Sequence, residues 1–231
     1  ALVCGAAVAL RPEGADLEVL LDYCRDRDVT VMGLFPGMLG PALDVMEARG
    51  FPPTVRLVTT GGEPVRAPDV ERWQAFFRAR DLAPPRLVNN FGLTEVTVVS
   101  LACDLTEREL GDGRVPIGHP LPGTRLRILD EAGQEALEGE LYLGGPGLAR
   151  GYLGRPDLTA ERFVDLGGER LYRTGDRVRR GAQGELEFTG RSDRQVKVRG
   201  YRVELEEVEA ALARHEAVWE CAVLQLPGGS L

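Results

Sequence analysis

The run YRTGDRVRRGAQGELEFTGRSDRQVKVRGYRVELEEVE, Tyr172 to Glu209, sets Asp176 at the end of a strand-like stretch, Arg191 fifteen positions on, and Asp193, Lys197 and Gly200 beyond. An acid at a strand end can accept both hydroxyls of a ribose, as it does in dinucleotide sites. Two other segments, TTGGEPV (59–65) and NNFGLTE (89–95), place glycine and small polar residues directly after β-rich apolar runs. Open α/β sheets form their ligand crevices there. Gly61 and Gly62, which lack a Cβ, would let a flat ring approach the backbone, and Phe91 offers an aromatic face for stacking. Thr94 can donate to a phosphate oxygen. Glu95 supplies the hard carboxylate oxygen that Mg2+ takes, with phosphates and water completing the octahedron. No G-K-[ST] follows either loop, and GGPGLARG lacks the G-x-G-x-x-G pattern, so neither common phosphate loop is present. Taken singly, each segment also has the composition of an ordinary turn, where Asp and Gly gather for local reasons.

The elements that must position these groups follow from periodicity. Leu17, Leu20, Leu21 and Cys24 fall at i, i+3, i+4 and i+7, which predicts a helix over 15–27 feeding the strand VTVMGLF. A second helix over 38–48 precedes the strand VRLVTTGG. Pro68 opens a third, with Val70, Trp73 and Phe77 on one face, before the strand RLVNNFG. After residue 114 the pattern changes to short strands broken by turn signals: RLRILDEAGQ, GELYLGG, LYRTGD, GAQGELEFTG and RQVKVRG. A helix begins again at Glu204, with Leu205, Val208 and Leu212 on one stripe, and AVWECAVLQL reads as a strand after it. The fold class is α/β: α/β sheet units, then a β-rich subdomain, then the start of a small α+β subdomain.

Composition narrows the function classes. The 231 residues are 43% hydrophobic and 28% charged, enough to bury a full core. A formal charge of −8, with Lys197 the only lysine, leaves no basic footprint and argues against nucleic-acid binding. Cys4, Cys24, Cys103 and Cys221 lack metal-ligand spacing, and His119 and His215 are the only histidines, so buried reduced thiols of a cytoplasmic protein are expected. No apolar run approaches the roughly 20 residues of a membrane span, and the start ALVCGAAVAL lacks the basic flank of a signal peptide. That start reads as an interior stretch of a longer chain.

In order, TTGGEPV, NNFGLTE, GELYLGGPGLARGYLGRPDLTAERF, LYRTGD and GRSDRQVKVRGYRVELEEVE resemble the adenylation domains of nonribosomal peptide synthetases, within the superfamily of acyl-CoA synthetases and luciferases. The resemblance covers nearly the whole chain. It implies that Asp176 binds the ATP ribose and that Arg191 contacts the same nucleotide. It makes Asp193 the hinge of a small mobile C-terminal subdomain, dividing the chain into 1–192 and 193–231. Gly200 would line the pantetheine tunnel in the second conformation, where a side chain would obstruct the arm. The family's Asn-x-Tyr-Gly-x-Thr-Glu run falls on Asn89, Phe91, Gly92, Thr94 and Glu95, with Phe91 in place of Tyr and Leu93 in place of Pro. With Gly61, Gly62 and Glu63, these residues would surround the nucleotide, with Glu95 on the metal. The family's substrate-pocket positions fall on Gly33, Val58, Thr60, Asn90, Val98 and Val99. The family's Phe-Asp-x-Ser run, its phosphate loop and its catalytic lysine are not in this sequence.

The implied reaction is ATP- and Mg2+-dependent activation of an amino acid or related carboxylic acid as an acyl-AMP. Transfer to the phosphopantetheine thiol of a peptidyl carrier protein follows, among neighbouring synthetase domains. An acyl- or aryl-CoA ligase shares the nucleotide motifs but usually carries Lys at the hinge. A catalytically silent adenylation-like docking domain would tolerate loss of charge at nucleotide positions, and Thr94, Glu95, Asp176, Arg191 and Asp193 are all present.

Overall fold

The computed structural model describes residues 4–11, 13–111, 113–198 and 201–226. Gly200, expected in the pantetheine tunnel, lies outside the described residues. The chain divides into two compact units, the first Ala1–Phe91 with Ala102–Gly118 and the second Gly92–Leu101 with His119–Leu231. The expected division at residue 193 follows a different line, and the described residues after it group with the second unit.

The first unit alternates helix and strand: α1 (Leu17–Asp26), β1 (Val31–Gly33), α2 (Pro36–Arg49), β2 (Leu57–Gly61), α3 (Ala67–Arg78) and β3 (Arg86–Phe91). Asp16 caps α1 by accepting the Val19 N–H at 2.9 Å, and prolines open α2 and α3 in their first turns. β1, β2 and β3 are parallel, pairing Met32 with Val58 and Val58 with Leu87. That row is buried in one apolar core with Leu21, Leu43 and Trp73, so the α/β periodicity describes this half well. Trp73 meets Phe51 edge-on at 5.6 Å. β4 (Leu101–Asp104) and β5 (Pro116–Pro120) follow β3 in the strand order.

The second unit is built on antiparallel strands: β6 (Arg125–Leu129), β7 (Glu138–Gly144), β8 (Phe163–Asp165), β9 (Arg170–Arg180) and β10 (Leu186–Arg191). Their order is β10-β9-β7-β6, with β8 also on β9. Helix α4 (Pro156–Arg162) leads into β8. A hairpin of β11 (Val196–Val198) and β12 (Tyr201–Val203) precedes α5 (Leu205–Leu212). The segment AVWECAVLQL is not a strand, contrary to its apolar pattern. Its backbone bonds to side chains instead: Val223 N–H donates to Glu209 at 2.8 Å and Val223 C=O accepts from Arg194 at 3.3 Å. Among the described residues no helix is long and apolar enough to cross a membrane. The four cysteines are free; Cys24 and Cys103 are buried as expected, but Cys4 is exposed.

Candidate active site

Asp176 sits where β9 is distorted. Tyr142 faces Arg173 and Glu140 faces Arg177, so two steps of β7 span four of β9 and the ladder bulges around Thr174, Gly175 and Asp176. Each residue of Thr-Gly-Asp has a task there. The Thr174 hydroxyl donates to Leu141 C=O at 2.7 Å and accepts the Asp176 N–H at 3.0 Å, replacing lost ladder bonds. Gly175 takes φ +75°, and a Cβ on it would lie 2.6 Å from Asp193 Oδ2. Its N–H donates to Glu140 at 3.1 Å, and Glu140 is in turn gripped by Arg173 at 3.0 Å. The bulge thereby presents the Asp176 carboxylate to Arg191, directly opposite on β10.

Arg191 ties this cluster together. Its Nη1 donates to Asp176, its Nε and Nη2 fork onto the Asp193 carboxylate at 2.7 and 2.9 Å, and Nη2 also reaches Thr174 C=O at 3.1 Å. The Arg191 and Asp176 side chains are only 12% and 6% exposed. Arg162, at the end of α4, adds a second cation 3.4 Å from Asp193. Burial pushes the Asp193 carboxyl up, but the Arg191 hydrogen bonds and charge outweigh it and hold the group below its ordinary range. The three residues that the sequence singled out, Asp176, Arg191 and Asp193, thus form one ionic cluster.

Glu95 belongs to a second cluster. Leu93 leads into a short 3-10 helix, Thr94–Val96, followed by Thr97 and Val98 at φ +63° and +65°. Two successive β-branched residues in the left-handed region mark a strained loop. The loop closes tightly: a Cβ on Gly92 would lie 2.3 Å from Val98 C=O. Thr97 Oγ1 donates to Gly147 C=O at 2.7 Å, and Ala149 N–H donates to Glu95 C=O at 2.8 Å. Thr94 is left exposed while Glu95 turns inward, 7% exposed. Its Oε1 accepts the Tyr152 hydroxyl at 2.6 Å and the Tyr172 hydroxyl at 3.0 Å. Burial, then the bond to Glu95, pushes the Tyr152 phenol far above its usual range, so it stays a donor. Phe163 packs against both rings, its centroid 5.5 Å from that of Tyr152 and 5.1 Å from that of Tyr172.

The first unit revises several expectations. Gly61 takes φ +151°, and a Cβ there would lie 2.0 Å from Asn90 C=O, so the neighbouring strand already uses the space read as room for a ligand. Gly62, at φ +86°, has open space instead. Asn89 is buried, and its side-chain N–H donates to Pro116 C=O at 2.9 Å, which gives it a sheet-bracing task. Replacing Asn89 with Leu is expected to lower stability by about 1–3 kcal/mol, because Pro116 C=O loses its donor. Urea denaturation measures this. Val58 is fully buried in the apolar core. Pairing puts Gly33 opposite Thr59 and Asn90 opposite Gly61, on the sheet face away from Val58, Thr60 and Asn89. The expected pocket positions therefore do not share one face. Val98 is 71% exposed, Val99 is half-buried, and so are Glu63 and Phe91. Thr60 Oγ1 is buried with no protein hydrogen-bond partner, at the carboxyl end of β2.

The profile described as "AMP-binding enzyme" matches residues 1–153. The chain belongs to that family. It is 42% identical over 230 residues to the probable non-canonical nonribosomal peptide synthetase CymA of Salinispora arenicola, covering 96% of this chain and 3% of that protein. It is 43% identical over 209 residues to the phenyloxazoline synthase MbtB of a Mycobacterium species, covering 88% of this chain and 17% of that protein. The structure matches that of PA1221, a nonribosomal peptide synthetase protein containing adenylation and PCP domains, with a TM-score of 0.80 and 34% identity. That match covers 95% of this chain and 44% of the other. The chain thus spans a small fraction of the curated relatives it matches.

In this member of the AMP-binding family the sequence signal for Tyr152, Arg162 and Tyr172 is faint. Each lies inside a segment that carries the resemblance, yet only the structure shows the hydroxyls meeting Glu95 and the guanidinium meeting Asp193. Among the described residues no group of three or more His, Cys, Asp or Glu could hold a metal ion. Mg2+ can also be held by one carboxylate combined with substrate phosphates and water, and Glu95 supplies a single buried carboxylate of that kind.

Proposed function

We propose that the protein of which this chain is part activates an amino acid or related carboxylic acid with ATP and passes it to a carrier-protein thiol, as a cytoplasmic member of a peptide-synthetase assembly. The substrate carboxylate attacks the α-phosphorus of ATP, forming the acyl-phosphate bond of an acyl-AMP and expelling pyrophosphate. The phosphopantetheine sulfur of the carrier then displaces AMP. The chain supplies positioning and charge rather than a nucleophile. Asp176 accepts the ribose hydroxyls with Arg191 beside it, Thr94 donates to a phosphate, and Glu95 provides a carboxylate for Mg2+, which when bound offsets phosphate charge. Asp193 is the hinge of a mobile segment starting at 193. The observation that carries this reading is the pairing of an exposed Thr94 with a buried, hydrogen-bonded Glu95 carboxylate in a strained loop.

ATP–pyrophosphate exchange by the intact protein, with a panel of amino, hydroxy and aryl acids, tests it; exchange with none of them would sink the reading. Glu95→Gln is expected to lower exchange at limiting Mg2+ by at least 10–100-fold, with partial recovery at high Mg2+, because the amide oxygen still coordinates without charge. Wild-type exchange by this variant at low Mg2+ would remove the metal role from Glu95.

A further inference from the structure

We propose that Tyr152 and Tyr172 are positioning residues that fix the orientation of the Glu95 carboxylate for a nucleotide-bound divalent cation. The proposal rests on the metal role given to Glu95 above and adds the groups that make that carboxylate usable. Both hydroxyls converge on one oxygen, Oε1, at 2.6 and 3.0 Å, and they stand 3.2 Å from each other. Two donors on one oxygen fix the plane of the carboxylate, which a single donor would leave free to rotate. They also satisfy an acceptor that burial has taken out of water.

The donors are themselves held in place. Tyr172 is fully buried on β9, and the Tyr152 N–H donates to Thr159 Oγ1 at 2.9 Å. Phe163 packs against both rings, with the Arg170 guanidinium 4.9 Å above its own ring. The phenols therefore approach Glu95 from rigid positions. Outer groups of this kind orient a metal ligand, and their loss typically weakens metal affinity by 10–100-fold. β9 carries Tyr172 and, four residues on, Asp176, so one strand serves both the metal carboxylate and the ribose acid.

The test uses Tyr152→Phe, Tyr172→Phe and the double variant in the intact protein. Phenylalanine keeps the ring packing against Phe163 and removes only the hydroxyl. Each single variant is expected to raise the Mg2+ concentration for half-maximal pyrophosphate exchange by roughly 10-fold, and the double variant by more. Nucleotide affinity measured without Mg2+ should stay at the wild-type value. In a Glu95→Ala background, Tyr152→Phe should shift the Mg2+ requirement no further, because no carboxylate is left to orient. An unchanged Mg2+ requirement in the single variants overturns the proposal, whether activity is kept or is lost together with thermal stability. If the wild-type protein shows neither exchange nor Mg2+-dependent nucleotide binding, the functional reading itself fails and the proposal with it. That outcome is visible before any variant is made.

Discussion

Replacing Arg191 with methionine is expected to destabilise the protein by about 3–5 kcal/mol at neutral pH, the usual result of removing one partner from a buried ion pair. Methionine keeps much of the side-chain volume, so the loss reports charge rather than a cavity. The guanidinium serves Asp176, both oxygens of Asp193 and Thr174 C=O in a region where its own side chain is 12% exposed. Without it the Asp176 carboxylate, 6% exposed, loses the guanidinium opposite it on β10. Two controls separate this account from a general packing defect. Adding Asp176→Asn to Arg191→Met should recover part of the loss, because the buried negative charge is gone. The pH dependence has a definite sign. Asp193 is held below its ordinary range, so its contribution is present above the unfolded carboxyl pKa, about 3.9, and fades as pH falls through the lower folded value. The gap between wild type and variant should therefore narrow in acid. Urea denaturation at several pH values measures all three effects, and a variant within about 1 kcal/mol of wild type at pH 7 would refute the account.

The elements were more legible in the sequence than the reasons for individual residues. Leu20, Leu21 and Cys24 on α1, and Val70, Trp73 and Phe77 on α3, are buried as their spacing predicts, because a helix against a sheet must hide one stripe. AVWECAVLQL misled because an apolar run specifies a strand only where a sheet edge receives it, and here Glu209 and Arg194 satisfy the Val223 backbone. For the site, charge was the readable part. Asp176, Arg191 and Asp193 stand out as ionisable residues at fixed spacing, and the β9–β10 register brings the first two opposite each other. Hydroxyls were not readable. Tyr152 and Tyr172 look like ordinary aromatics of β-rich segments until Glu95 is seen to accept from both, and nothing in the run NNFG announces that the Asn89 amide donates to Pro116 C=O. Of the expected pocket positions, Gly33 and Asn90 fall on one face of the sheet and Val58 and Thr60 on the other, since residues adjacent along a strand face opposite ways.

Gly61→Ala is expected to destabilise the protein by about 3 kcal/mol or more, whereas Gly62→Ala, one residue on, should cost about 1–2 kcal/mol. The sequence presents the pair as equivalent, and both take positive φ, +151° at Gly61 and +86° at Gly62. Their surroundings differ. A Cβ on Gly61 would lie 2.0 Å from Asn90 C=O and 3.0 Å from Asn90 carbonyl carbon, which are backbone atoms of a paired strand that cannot swing aside. The methyl could be accommodated only by parting β2 from β3 at the register that also aligns Thr60 with Asn89. A Cβ on Gly62 meets nothing within 4 Å, so alanine there carries backbone strain alone. The functional readout should run the other way. If a nucleotide ring lies against this loop, the open side of Gly62 is where it can approach, so Gly62→Ala should weaken nucleotide binding in calorimetry while the protein stays folded. Equal urea midpoints for the two variants would show that β2 and β3 part at no appreciable cost, and undiminished nucleotide affinity in Gly62→Ala would remove that residue from the site.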